Sequence, residues 1–154
     1  METSAPTRRL SKEKRRRQLL EVASVLAREE GTDALTLAAV AERAGVTKPI
    51  AYDHFGTRAG LLVALHRDFV DRRTEAMRSA LEAGGKTLDA VAEIVSAAYV
   101  DCVIAAGTEV GAIDAALSGS EEMETYRASL EQGHLDELRA AFRPFAPPAV
   151  DLDT

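Results

Sequence analysis

The amino-acid sequence predicts an all-α chain: a three-helix amino-terminal unit, a long connecting helix and a helical bundle after it. Three observations carry that expectation. Apolar residues recur at three- and four-residue steps from Leu19 to Phe142, which is the period of a helix. Nowhere do they alternate over the length of a strand, and Gly, Ser and Pro interrupt the pattern at helix-length intervals. A chain of 154 residues, 46% hydrophobic and 29% charged, can bury a core and suits one or two compact units. No apolar run reaches the ~18 residues of a membrane helix, and the polar, basic start has no apolar segment behind it, so a cytoplasmic location without membrane attachment is expected. The single cysteine, Cys102, has no internal disulfide partner and reads as a small buried hydrophobe.

In chain order, residues 1–10 show no periodicity and contain Pro6, so they are expected to be a disordered basic arm. Ser11 can cap a first helix with Glu13 in its first turn; Leu19, Leu20, Ala23, Leu26 and Ala27 form its buried side, and Gly31 ends it. Thr32 to Leu35 connect to a second helix opened by Thr36, whose hydroxyl can accept an orphan N–H. Leu37, Val40, Ala41 and Ala44 share one face of that helix. Gly45 stands where a helix end commonly needs φ > 0, and Val46 gives the turn an apolar residue to bury. Thr47 can cap a third helix that has Lys48 in its first turn and Pro49 early enough for its missing N–H to cost little. Residues 11–56 thus form a first domain, with an expected core of Leu20, Leu26, Leu37, Val40, Val46, Ile50 and Phe55.

Gly56 and Thr57 end the third helix and cap a long one from Arg58 to about Ala83, with Leu61, Leu62, Leu65, Phe69, Met77 and Leu81 recurring along it. After Gly84-Gly85-Lys86, Thr87 can cap a helix to about Ala106. A weaker helical piece follows between Gly107 and Leu117, and a last helix runs from about Glu121 to Phe142. Residues 57–143 therefore read as a helical bundle, to which only a family resemblance gives a ligand-binding or regulatory role. Pro144, Pro147 and Pro148 end regular structure in a Pro-rich tail over 144–154.

A helix, a tight Gly-containing turn and a second helix make a helix-turn-helix, whose second helix can enter the DNA major groove. Spacing alone would serve an ordinary pair of packed helices as well. Lys48, Tyr52 and His54, beside Thr47 and Thr57, give the third helix donors of different reach, which a purely internal helix would not carry. The net charge of −6 divides along the chain: residues 1–60 hold 11 Lys/Arg against 8 Asp/Glu, and residues 61–154 hold 8 against 17. The positive part can meet phosphates and the acidic part would be repelled by them. Most of the positive charge lies in Arg8, Arg9, Lys12, Lys14, Arg15, Arg16 and Arg17, which serve either backbone contact or a solvated arm.

The wording TLAAVAERAGVTKPIAYDHFGTRAGLL resembles the DNA-binding segment of the TetR family of bacterial transcriptional regulators, and the resemblance runs from about Gln18 to Leu65. The matching features are Gly31, Thr36, the Ala44-Gly45-Val46-Thr47 turn, Tyr52, His54-Phe55 and Leu61-Leu62. Ala51 departs from the family's larger aliphatic residue, and Arg58 stands where Lys is frequent. The resemblance implies Thr36, Thr47, Tyr52 and His54 at phosphates, Lys48 and Pro49 near base edges, and Arg58 near the DNA backbone. It further implies a homodimer on double-stranded DNA with a palindromic operator, released as a repressor by a small-molecule effector. Family members usually continue into two more helices that form the dimer interface, so this chain is expected either to be shortened or to pair through the helices it retains.

An effector pocket is implied by the resemblance, not by periodicity. Its candidate lining is Phe69, Tyr99, Cys102, Val103, Ile113, Leu117, Met123, Tyr126 and Leu130, all of which would serve equally as plain core; a mostly apolar lining suits a lipophilic ligand. No cofactor and no enzymatic activity are expected: His54, His66 and His134 are far apart, none at metal-ligand spacing, and no phosphate-cradling loop follows a strand. The alternative function is a helical protein-interaction module that keeps the fold without regulating transcription.

Overall fold

The computed structural model describes residues 10–105, 107 and 110–147; the expected arm over 1–9 and the end of the tail from 148 lie outside them. The described residues form seven α-helices and no strand. They divide into two compact units, residues up to 61 and residues from 62. The division thus falls inside the long helix and not at its start near residue 57, because a helix start marks a break in hydrogen bonding and not in packing.

In the first unit, α1 spans Lys12–Glu30 and begins where the Ser11 hydroxyl accepts the Lys14 N–H at 3.3 Å. The connection after Gly31 contains a 3₁₀ turn at Thr32–Ala34 that periodicity did not indicate. Helix α2, Leu37–Arg43, opens with the Thr36 hydroxyl accepting the Ala39 N–H at 3.1 Å. The turn to α3 depends on Gly45 at φ 66°. There the Val46 N–H returns to the Ala41 carbonyl at 2.9 Å and the Gly45 N–H to Glu42 at 3.1 Å, which satisfies the end of α2.

Helix α3 is Lys48–Phe55. Thr47 precedes it as expected, but its hydroxyl makes no capping hydrogen bond. The reason is local: Pro49 has no N–H to offer, and the Ile50 N–H goes to the Thr47 carbonyl at 3.0 Å. The core of this unit is Leu19, Ala23, Leu26, Leu35, Leu37, Val40, Ala41, Ala51, Phe55 and Leu61. Leu20, Val46 and Ile50, expected inside, are only half-buried. Ala51 and Ala23 are both fully buried.

Helix α4, Arg58–Gly84, is 27 residues long and belongs by its first turn to the first unit. The Thr57 hydroxyl accepts the Gly60 N–H at 2.9 Å. A Cβ at Gly60 would lie 2.2 Å from the Phe55 carbonyl oxygen, so glycine is what lets the first turn of α4 meet the last of α3.

The second unit holds the rest of α4 with α5 (Leu88–Ala105), α6 (Gly111–Ala116) and α7 (Glu121–Phe142). Thr87 and Ser120 cap α5 and α7 through the N–H groups of Ala90 and Met123, both at 3.2 Å. Helix α5 packs on α7, and Phe69, Val91, Ile113, Leu117, Met123 and Tyr126 are buried. The weak piece after Gly107 contains the six-residue α6. Pro144 does not end helical geometry at once: its fixed φ suits the 3₁₀ turn Arg143–Phe145 in which it sits. No helix among the described residues is long and apolar enough to cross a membrane.

Candidate nucleic-acid interface

Helix α3 has two unlike sides. Ala51 and Phe55, one turn apart, are buried and hold it to the unit, while Ile50 and His54 flank them half-buried. On the other side Lys48, Pro49, Tyr52 and Asp53 are exposed, Tyr52 by 51%. Lys48 makes no ion pair among the described residues, so its ammonium is available to an outside acceptor. Asp53 shares this outward side and was not singled out from the sequence; a carboxylate in a major groove can accept from cytosine N4. Thr36 and Thr47 are both exposed. The Thr36 oxygen accepts an N–H, leaving its own O–H to donate, and the Thr47 hydroxyl is free of capping.

The basic face of α1 gathers at the carboxyl end of α3. Burial first, then the positive charges of Arg16, Lys12 and Arg15 hold the His54 pKa below its usual value, against an opposing effect of Asp53. Those cations make a positive field beside the outward side of α3, as a phosphate site requires. Not all of the basic run is equivalent. Lys12 and Lys14 are exposed, Arg17 stands 3.9 Å from Glu13 on the same exposed face, and Arg15 donates to Gln18 at 2.6 Å. Among the described residues of the run, Arg16 alone hydrogen-bonds to α3, donating from Nη1 to the His54 carbonyl at 2.7 Å.

Arg58, expected near the DNA backbone, points two donors inward: Nε to the Leu35 carbonyl at 3.0 Å and Nη2 to the Thr32 carbonyl at 2.7 Å. It thereby fixes the connection between α1 and α2. Sequence spacing could not show this, since the partners are 23 and 26 positions away. Arg43 is likewise paired, with Glu29 and Glu30 at the end of α1.

In the second unit a groove of about 590 Å³ lies among α4, α5 and α7. Of the nine expected lining residues it contains Tyr99, Cys102 and Val103; Val95, Met77, His134 and Leu138 join them. Phe69, Ile113, Leu117, Met123 and Tyr126 are buried away from its wall, and Leu130 is half-buried outside it. Periodicity gives the apolar side of a helix but not the neighbour it meets. Tyr99 and Val103 are 71% and 55% exposed, so they stand at an open mouth.

A separate polar cluster joins three helices. His66 of α4 is buried, with Nδ1 3.1 Å from the Tyr126 hydroxyl of α7 and Nε2 3.4 Å from Oδ1 of Asp114 on α6. That Asp114 oxygen accepts no hydrogen bond among the described residues and lies 3.8 Å from Arg127, so the pairing is Coulombic. Burial lowers the His66 pKa against the pull of Asp114, and pushes the Tyr126 hydroxyl up to about 12. Among the described residues no three His, Cys, Asp or Glu side chains converge as metal ligands.

Residues 19–65 match the model of the bacterial regulatory proteins of the tetR family. Over 73 residues, 47% of this chain, the sequence is 38% identical to the HTH-type transcriptional activator FasR of Mycolicibacterium smegmatis, and the match spans 33% of that protein's length. A transcriptional regulator of the TetR/AcrR family from Thermobifida fusca is similar in structure, with a TM-score of 0.62 and 26% identity over 90% of this chain and 76% of that one. The fatty acid degradation regulator FadR from Bacillus halodurans shares the fold, with a TM-score of 0.59 and 18% identity over 98% of this chain and 77% of that one. Residues 19–65 thus carry the helix-turn-helix segment of the tetR family of bacterial regulatory proteins, on an all-helical architecture similar to that of the Thermobifida fusca regulator.

Proposed function

We propose that the chain is a DNA-binding transcriptional regulator that works as a homodimer on a palindromic operator in the cytoplasm, binding and not turning over its partners. The observation that supports this best is the outward side of α3: Lys48, Pro49 and Tyr52 exposed above buried Ala51 and Phe55, beside cations of α1. In a major groove Lys48 and Pro49 lie at base edges, and Thr36, Thr47, Tyr52 and His54 hold phosphates. An electrophoretic shift with DNA from upstream of the gene, at low and high salt, tests the reading. Affinity that falls steeply with salt yet survives competitor DNA supports it, and no shift at low salt overturns it.

The regulator responds to a small lipophilic effector in the groove of α4, α5 and α7, whose wall of Val95, Cys102, Val103 and Leu138 is mainly apolar. Its direction is repression, so a reporter under the operator rises when the gene is deleted; a fall makes the chain an activator, as the relative from Mycolicibacterium smegmatis is named. Nile red should brighten with the native chain and not with V103E, a change at an exposed position that the fold tolerates.

A second reading, a helical protein-interaction module, is favoured by one feature. Tyr99, Val100, Val103 and Ile104 expose an apolar stripe along α5, with Ile104 64% exposed. That module would show neither steep salt dependence nor resistance to competitor DNA.

A further inference from the structure

We propose that Arg16 is a positioning residue for DNA recognition: it ties the carboxyl end of α3 to α1 and sets the register in which α3 meets the duplex, without itself contacting phosphate. The inference rests on the DNA-binding reading above. In the sequence Arg16 is one of four consecutive basic residues, Lys14 to Arg17, with nothing to distinguish it. In the fold it is half-buried, whereas Lys14 and Arg17 are exposed.

Its partners explain why an arginine is needed. The last carbonyls of a helix have no intrahelical donor. At the end of α3, Tyr52 O accepts the Gly56 N–H at 2.8 Å and Phe55 O accepts the Thr57 N–H at 2.7 Å. The His54 carbonyl instead accepts Arg16 Nη1 at 2.7 Å, across 38 positions of sequence. The same guanidinium lies 4.8 Å from the centroid of the Phe55 ring. One guanidinium therefore donates to the backbone of residue 54 and lies over the ring of residue 55. A cation at this end also faces the negative pole of the helix.

Helix α3 is short, eight residues or about 12 Å, so its orientation is easily lost. A tilt of about 10° would move one end by about 2 Å, more than a hydrogen bond to a base tolerates. A lysine at position 16 keeps the charge but supplies neither the planar face nor the fork. A phosphate contact would survive that exchange; a brace would not.

The test uses the duplex that the native protein itself recovers from a randomised library, beside a random duplex of equal length. Affinities are measured from about 50 to about 200 mM salt. R16K should bind the recovered duplex about tenfold more weakly with an unchanged salt slope, while binding to the random duplex stays as in the native chain. K14Q, in contrast, should weaken both duplexes alike and reduce the slope by about 1. R16K equal to the native chain overturns the proposal, as does R16Q behaving like K14Q. Hydrogen exchange on the free protein gives a second measure: residues 53–57 should exchange faster in both R16K and R16Q while residues 41–46 do not change. Unchanged exchange at 53–57 sinks the brace. Should the native chain recover no duplex at all, the regulator reading fails, and the exchange data still decide whether Arg16 holds α3.

Discussion

Replacing Arg58 by alanine should destabilise the amino-terminal unit by about 2–4 kcal/mol. Two hydrogen bonds from one guanidinium are lost, to Leu35 O at 3.0 Å and Thr32 O at 2.7 Å. A charge-assisted bond contributes about 1.5–3 kcal/mol net, but Arg58 is half-buried and solvent screens part of that. The two carbonyls then differ. Leu35 is fully buried, so its oxygen would be left without a donor, whereas half-buried Thr32 can turn to water. R58K should recover about half of the loss, because one ammonium cannot span both oxygens. For a unit of this size each kcal/mol corresponds to roughly 4–8 °C in Tm. A chain of two units need not melt in one step, so hydrogen exchange at residues 32–46 under increasing urea is the suitable assay. If R58A stays within about 0.5 kcal/mol of the native chain while the salt slope of DNA binding falls by about 1, the reasoning is refuted and Arg58 serves phosphate.

Three further outcomes follow from the same geometry. G60A should cost about 3 kcal/mol in an equilibrium unfolding measurement, because the new methyl meets the Phe55 carbonyl oxygen at 2.2 Å and backbone must move; an unchanged midpoint would contradict the close approach. His54, whose pKa burial and the charges of Arg16 and Lys12 hold below its usual value, should gain a proton more readily when phosphate arrives, so affinity for DNA should rise as pH falls from about 7.5 to about 5.5, at most tenfold per unit, and H54Q should remove the excess. His66 has its folded pKa lowered below 6.5, so the unfolded chain takes up the proton first; its contribution to stability is complete above about pH 6.5 and falls with decreasing pH, by at most about 1.4 kcal/mol per unit. Urea unfolding between about pH 7 and 5.5 should show that decline in the native chain and a flatter profile in H66Q, and equal profiles would refute it.

The order and ends of the helices were legible because they depend on neighbours in sequence. Ser11, Thr36, Thr87 and Ser120 each accept an N–H three residues on, and the Gly45 turn follows from the φ that only glycine adopts freely. The outward side of α3 was legible for the same reason, since Lys48 and Tyr52 lie a turn apart. What depends on distant residues was not. That Arg16 donates to the His54 carbonyl, and Arg58 to those of Leu35 and Thr32, no spacing indicates. Phe69, Met123 and Tyr126 have the period of a pocket wall, but the same period makes a core, and only packing among helices shows that they are buried while Tyr99 is open. His66, Asp114 and Tyr126 come from three helices and form one cluster that no spacing announces.

Helix α3 keeps the side chains it turns outward apart from those that anchor it. Ala51 and Phe55 are committed to the interior, whereas the four side chains at 48, 49, 52 and 53 are exposed. Exchanges at such open positions usually alter stability by no more than about 0.5 kcal/mol. On the DNA-binding reading proposed above, a lineage, or an engineer with a combinatorial library, can therefore retarget this scaffold by diversifying those codons while folding stays under independent selection at their neighbours.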